Sequence, residues 1–133
     1  MFIPTFSLFD NNEFNEWWER LTENEQIDIA ACVGLLEECG PNLKFPYSSG
    51  IQGSIYTHMR ELRIQHSGQP YRVLYAFDPR RTAILLIGGN KTGDDRWYEK
   101  YIPIADDLYE EHLGALNDGV RPDKQTFRLA FFT

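Results

Sequence analysis

The 133-residue sequence predicts an α+β domain: a mostly antiparallel sheet of about four strands packed against two N-terminal helices and a C-terminal helix. Three observations predict it. Apolar residues recur with helical period over residues 14–35, lose that period over 58–88, and regain it over 95–116. The connections within 58–88 are short, which makes successive strands antiparallel neighbours. Two segments there, "YRVLYAF" and "TAILLIG", are apolar on both faces or nearly so, and belong at the centre of a sheet with helices covering it.

The elements follow in order. Phe2–Phe9 reads as a strand, confined by Pro4 to an edge or to its latter part. Phe14, Trp17, Trp18 and Leu21 have the i, i+3, i+4, i+7 spacing of an amphipathic helix, with Asp10 or Asn11 as N-cap. Thr22 or Asn24 caps a second helix with the stripe Ile27, Ala30, Ala31, Gly34 and Leu35, which stops at "ECGPN". Residues 41–57 read as loop, rich in Gly, Ser and Pro. Strands are expected at about 58–65, 71–77 and 82–88, joined by "HSGQP" and "DPRR", the latter with Pro79 where a turn needs φ near −65°. A helix over about 95–116 carries Tyr98, Tyr101, Ile102, Ala105, Leu108, Tyr109, Leu113 and Leu116 on one stripe; Pro103 either kinks it, as the unbroken stripe favours, or sits at the first turn of a second helix. Residues 1–116 are read as a single domain and 117–133 as an extension of undefined structure.

Composition excludes several classes. No apolar run reaches the roughly 20 residues that span a membrane. "MFIPTFSLFD" lacks the basic start of a secretory signal, so a cytoplasmic protein is expected. Cys32 and Cys39 lie two turns apart on a helix, too far for a disulfide, and read as reduced, packed thiols. The net charge of −7 argues against nucleic acid, but its distribution does not. Residues 58–100 carry 8 basic and 5 acidic side chains, a basic island between acidic flanks.

Arg72 stands among core residues of a strand. It either pairs with Glu61 of the neighbouring strand or points into a groove where its planar fork can hold a phosphate. In "MRELRIQ", alternation puts Glu61, Arg63 and Gln65 on one face and Arg60, Leu62 and Ile64 on the other. Lys91 follows two glycines at a strand end, yet the spacing fails the phosphate-binding loop Gly-x4-Gly-Lys-Ser/Thr. Asp94 and Asp95 read as helix-capping acids, and Asp106, Asp107, Glu110 and Glu111 as a solvated face; no metal site is assigned. Basic residues on adjacent strands, a lysine at the sheet's end and a tyrosine just beyond suit the holding of a phosphodiester and the movement of a proton.

The stretch "MRELRIQHSGQPYRVLYAFDPRRTAILLIGGNKTGDDRWYEKYIPIADDLYEEHL" resembles toxins of the RelE/ParE superfamily, especially the phage-associated HigB-like branch. Its specific parts are "ELR" before a turn, "YRVLY", and a strand ending in glycine before a basic loop. The resemblance implies a metal-independent endoribonuclease without cofactor, cutting messenger RNA on the ribosome and held inactive by a helix-turn-helix antitoxin. It implies Arg63, Arg72, Lys91 and Tyr98 as the catalytic set. Arg60, His66 and Arg96, all on the basic island, are the expected RNA contacts around them. Two further readings share the scaffold: a ParE-like gyrase binder that hydrolyses nothing, and an inactive phage-derived interaction module.

Overall fold

The computed structural model describes residues 8–10, as backbone, and residues 12–118. Five strands form one sheet: β1 (Leu8–Asp10), β2 (Ser48–Gly50), β3 (Arg60–His66), β4 (Gln69–Phe77) and β5 (Ala83–Asn90). Their spatial order is β1-β5-β4-β3-β2. The run β2 to β5 is antiparallel throughout, and only β1 pairs in parallel, with β5. The α+β expectation therefore holds, and β4 and β5 occupy central positions as their two apolar faces require.

Each β3–β5 connection follows from its turn residues. Ser67 and Gly68 both have positive φ (51° and 75°), the conformation a two-residue hairpin needs to match strand twist. They pin His66 opposite Gln69, and hence Arg63 opposite Arg72. At "DPRR", the Asp78 carboxylate accepts the N–H groups of Arg80 and Thr82, and Arg81 takes positive φ. In β5, Leu86 has no partner: Leu74 faces Ile87 and Tyr75 faces Leu85. This bulge shifts the phase of the strand's last residues.

Helices α1 (Asn12–Glu19) and α2 (Glu23–Cys39) cover one face, α3 (Trp97–Asn117) the other. Phe14 and Trp18 are buried as expected. Thr22 caps α2, its hydroxyl accepting the Glu25 N–H while Glu25 accepts the Thr22 N–H. Gly40 ends the helix. The stripe expected on α2 is corrected. Ile29, Ala30, Val33 and Leu36 face the core, whereas Ile27 and Ala31 are exposed. The helix is apolar around much of its circumference, so its period does not define its phase. α3 runs unbroken through Pro103 and starts after Arg96, which has no side-chain cap. Asp94 contributes from outside instead, accepting the Arg96 N–H and pairing with Lys100.

Two other expectations are revised. The 41–57 loop contains β2, a short edge strand held by backbone pairing to β3. Asp106 is buried rather than solvated, because its carboxylate accepts the Ser54 hydroxyl at 2.5 Å and the Ile55 N–H at 3.1 Å, tying that loop to α3. The glycines of "IGGN" serve packing. A Cβ on Gly88 would lie 2.3 Å from the Trp17 ring of α1, and one on Gly89 would lie 2.8 Å from Trp97 Nε1 of α3. One indole thus docks on each side of β5. Both cysteines are free, and burial pushes the Cys32 thiol up to about 12. The expected residues 2–7 of the first strand, the Asn11 cap and residues 119–133 lie outside the described residues.

Candidate active site

Strand pairing builds the site. Cross-strand partners share a face, so Arg63, Arg72 and Gly89 form one row on the α3 side of the sheet. Glu61 lies two residues from Arg63 on that same face. Gly89 contributes no side chain, and Trp97, the first residue of α3, occupies the space. The next residue, Tyr98, is thereby aimed at the row from above.

The Glu61 carboxylate is the hub. Its Oε1 accepts the Tyr98 O–H at 2.5 Å and lies 3.5 Å from Arg72 Nε. Its Oε2 accepts from Arg63 Nη1 at 3.0 Å and from the Ser49 hydroxyl at 2.7 Å. Glu61 and Arg72 are each only 4% exposed, so this ion pair is buried. Arg72 Nη1 also donates to the Tyr71 carbonyl, while its Nε has no well-formed hydrogen bond. Lys91 closes the group, its ammonium 5.6 Å from the centre of the Tyr98 ring. Of the four residues expected to be catalytic, Arg63, Arg72 and Tyr98 therefore meet at one carboxylate, and Lys91 joins them through the Tyr98 ring. Of the two alternatives for Arg72, the pairing with Glu61 is the one seen.

Electrostatics distinguish the members. Burial raises the Tyr98 pKa, as does its hydrogen bond to Glu61; Arg72 opposes both without reversing them. Desolvation thus outweighs the neighbouring cation. Tyr98 is consequently a phenol at neutral pH, a proton donor rather than a base. Two arginines share one carboxylate and Lys91 stands over the Tyr98 ring beside them, in a chain whose net charge is −7; the cluster concentrates positive potential at this end of the sheet.

The three expected RNA contacts do not join this cluster. Arg60 lies on the opposite face, donating to the Ser48 hydroxyl beneath Tyr75. His66 is on that face too, 2.6 Å from Asp28 of α2. Arg96 is on the correct side but extends into solvent, 3.9 Å from Glu99. Glu61 and Ser49 are the members that sequence reasoning did not assign. Alternation and hairpin register carried the signal for Glu61; Ser49 gave none, because β2 has no apolar pattern. Among the described residues no group of His, Cys, Asp and Glu is placed to hold a metal ion, and no helix is long and apolar enough to cross a membrane.

Comparison with known proteins gives the family. Residues 16–110 match the family described as "Phage derived protein Gp49-like (DUF891)". The chain is 38% identical over 108 residues to HigB3, a candidate toxin of Mycobacterium tuberculosis, covering 80% of this chain and 93% of that one. It is 37% identical over 111 residues to HigB2, a candidate toxin of the same organism, covering 82% of this chain and 55% of the relative. The chain thus spans about half the length of HigB2 and nearly all of HigB3. The match includes the "ELR", "YRVLY" and glycine-ended strands on which the site is built. The HigB-like resemblance is borne out, and the chain belongs to the Gp49-like family of phage-derived proteins.

Proposed function

We propose that this protein is the toxin of a toxin–antitoxin pair and an endoribonuclease that cuts messenger RNA through attack of the substrate's own 2′-OH on the adjacent phosphodiester. The observation that carries this reading is the convergence of Arg63, Arg72 and Tyr98 on the Glu61 carboxylate, with Lys91 over the Tyr98 ring. Such a reaction needs a base for the 2′-OH, cations for the charge growing on phosphorus-bound oxygens, and an acid for the departing 5′-oxygen. Glu61 is the one carboxylate in the cluster and is the base. Arg63 and Arg72 stabilise the phosphoryl charge, with Lys91 at the rim. Tyr98, kept protonated by its surroundings, donates to the leaving oxygen.

In the free protein both arginines share the Glu61 carboxylate. A bound phosphate competes for them, and each guanidinium that turns to it frees a Glu61 lone pair for the 2′-OH. Substrate binding thus converts a structural ion pair into a base. The likeness to candidate toxins supports a cognate antitoxin; action on translated messages in the cytoplasm is part of the same proposal. The burial of Arg72 favours a second reading, in which the sheet is a scaffold that binds gyrase and hydrolyses nothing.

Induced expression tests both. Growth arrest with cut transcripts is expected from wild type. Tyr98→Phe, which removes one hydroxyl and leaves the ring packing, should slow cutting by about 10²–10⁴-fold, the usual contribution of a positioned acid. DNA-damage signalling with intact transcripts would support the gyrase reading instead.

A further inference from the structure

The turn leading into β2 exposes an aromatic ring beside this site. Phe45 is 71% exposed, and its neighbours Lys44 and Tyr47 are exposed as well. A phenylalanine so open gains nothing from folding. Its position is nonetheless defined. The Arg63 guanidinium lies 5.1 Å from the ring centre, and the turn is closed by the Lys44 carbonyl, which accepts the N–H groups of Tyr47 and Ser48. The Tyr47 carbonyl in turn accepts the Arg63 N–H at 2.9 Å. One arginine therefore touches Phe45 on one side and Glu61 on the other.

We propose that Phe45 is a stacking platform for a nucleobase of single-stranded RNA, adjacent to the phosphate held by Arg63. One side of the ring meets the guanidinium, and the exposed remainder presents a flat apolar surface at stacking distance from solvent. Rings next to cations suit single-stranded nucleic acid, because each nucleotide offers a π face and a charged phosphate. Lys44 precedes the ring in the chain and the Arg63 guanidinium lies over it, so positive charge adjoins it, which suits a polyanion. The platform would orient the chain around the scissile bond and bias which bases are cut. This inference rests on the nuclease reading.

The test titrates purified full-length protein into a cell-free translation extract and maps the cuts on a reporter transcript. Phe45→Ala should raise the protein concentration giving half-maximal cutting by roughly 5- to 150-fold, the range for loss of one stacked base. The saturating rate and melting temperature should hold, the distribution of cut positions should broaden, and Phe45→Trp should restore wild-type behaviour. Arg72→Ala runs alongside and should lose the saturating rate. If Phe45→Ala matches wild type in concentration dependence and cut positions while Arg72→Ala is inactive, the platform is overturned and the nuclease reading stands. Unchanged cutting by Phe45→Ala with weakened capture of the antitoxin also overturns it and assigns the turn to a protein interface. If wild type leaves the transcript intact, the nuclease reading fails and the platform falls with it.

Discussion

Replacing Glu61 by glutamine probes the hub directly. The amide keeps the size of the side chain, and its oxygen can still accept the Tyr98 O–H. The negative charge is lost, and Arg72, 4% exposed, is left without a counter-charge. Removing one partner of a buried pair costs about 3–5 kcal/mol. The lower end applies here, because Arg63 has 28% of its side chain exposed and can turn to water, and Arg72 keeps its bond to the Tyr71 carbonyl. For a 133-residue chain, 3 kcal/mol corresponds to a drop of about 10 °C in Tm. Arg72→Met alone should cost less, since Glu61 retains Arg63, Tyr98 and Ser49. The double variant removes both charges and should be more stable than the sum of the singles predicts, by about 1.5 kcal/mol or more. Urea unfolding of the four proteins, followed by circular dichroism, measures the cycle. Single effects that add to within about 0.5 kcal/mol would show that Glu61 and Arg72 are not coupled, and the account of the site would be wrong.

Two further outcomes test the packing of the face covered by α1 and α2. Burial pushes the Glu37 carboxyl up to about 7, and its Oε1 has no hydrogen-bond partner. The folded state therefore binds this proton more tightly than the unfolded chain, so stability falls as pH rises from about 4.5 through 7. Glu37→Gln should remove most of that fall, raising stability by about 2 kcal/mol at pH 8 and by little at pH 4; equal effects at both values would refute the assignment. Gly88→Ala places a methyl 2.3 Å from the Trp17 ring and should cost about 1–3 kcal/mol, whereas Gly114→Ala, with open space around its Cβ position, should not destabilise; similar melting temperatures for the two would contradict the indole-docking role.

Much of the site was legible because strands impose strict rules. Alternation placed Glu61 and Arg63 on one face, and a two-residue turn at Ser67-Gly68 sets which β4 residue faces them. The same alternation put Arg60, and with it His66, on the far face, so their grouping with the catalytic residues followed net charge rather than geometry. Lys91 and Tyr98 meet through a loop, where spacing carries no distance information; their proximity depends on Trp97 filling the gap above Gly89. Edge strand β2 was illegible because backbone hydrogen bonds hold it, and "SSG" has no pattern to show. On α2, apolar residues on several sides hid the buried face. Asp106 was read as solvated because composition reveals acids but not the loop N–H they cap.

The most direct test of the central claim is the chemistry of the cut ends. Attack by the 2′-OH leaves a 5′-hydroxyl on the downstream fragment and a 2′,3′-cyclic phosphate on the upstream one. Fragments from the cell-free reaction, probed for 5′-hydroxyl ends by kinase-dependent ligation, should carry them with wild type and be scarce with Glu61→Gln assayed below its melting temperature. Fragments with 5′-phosphate ends, or cutting by Glu61→Gln at the wild-type rate, would contradict the assignment of Glu61 as the base.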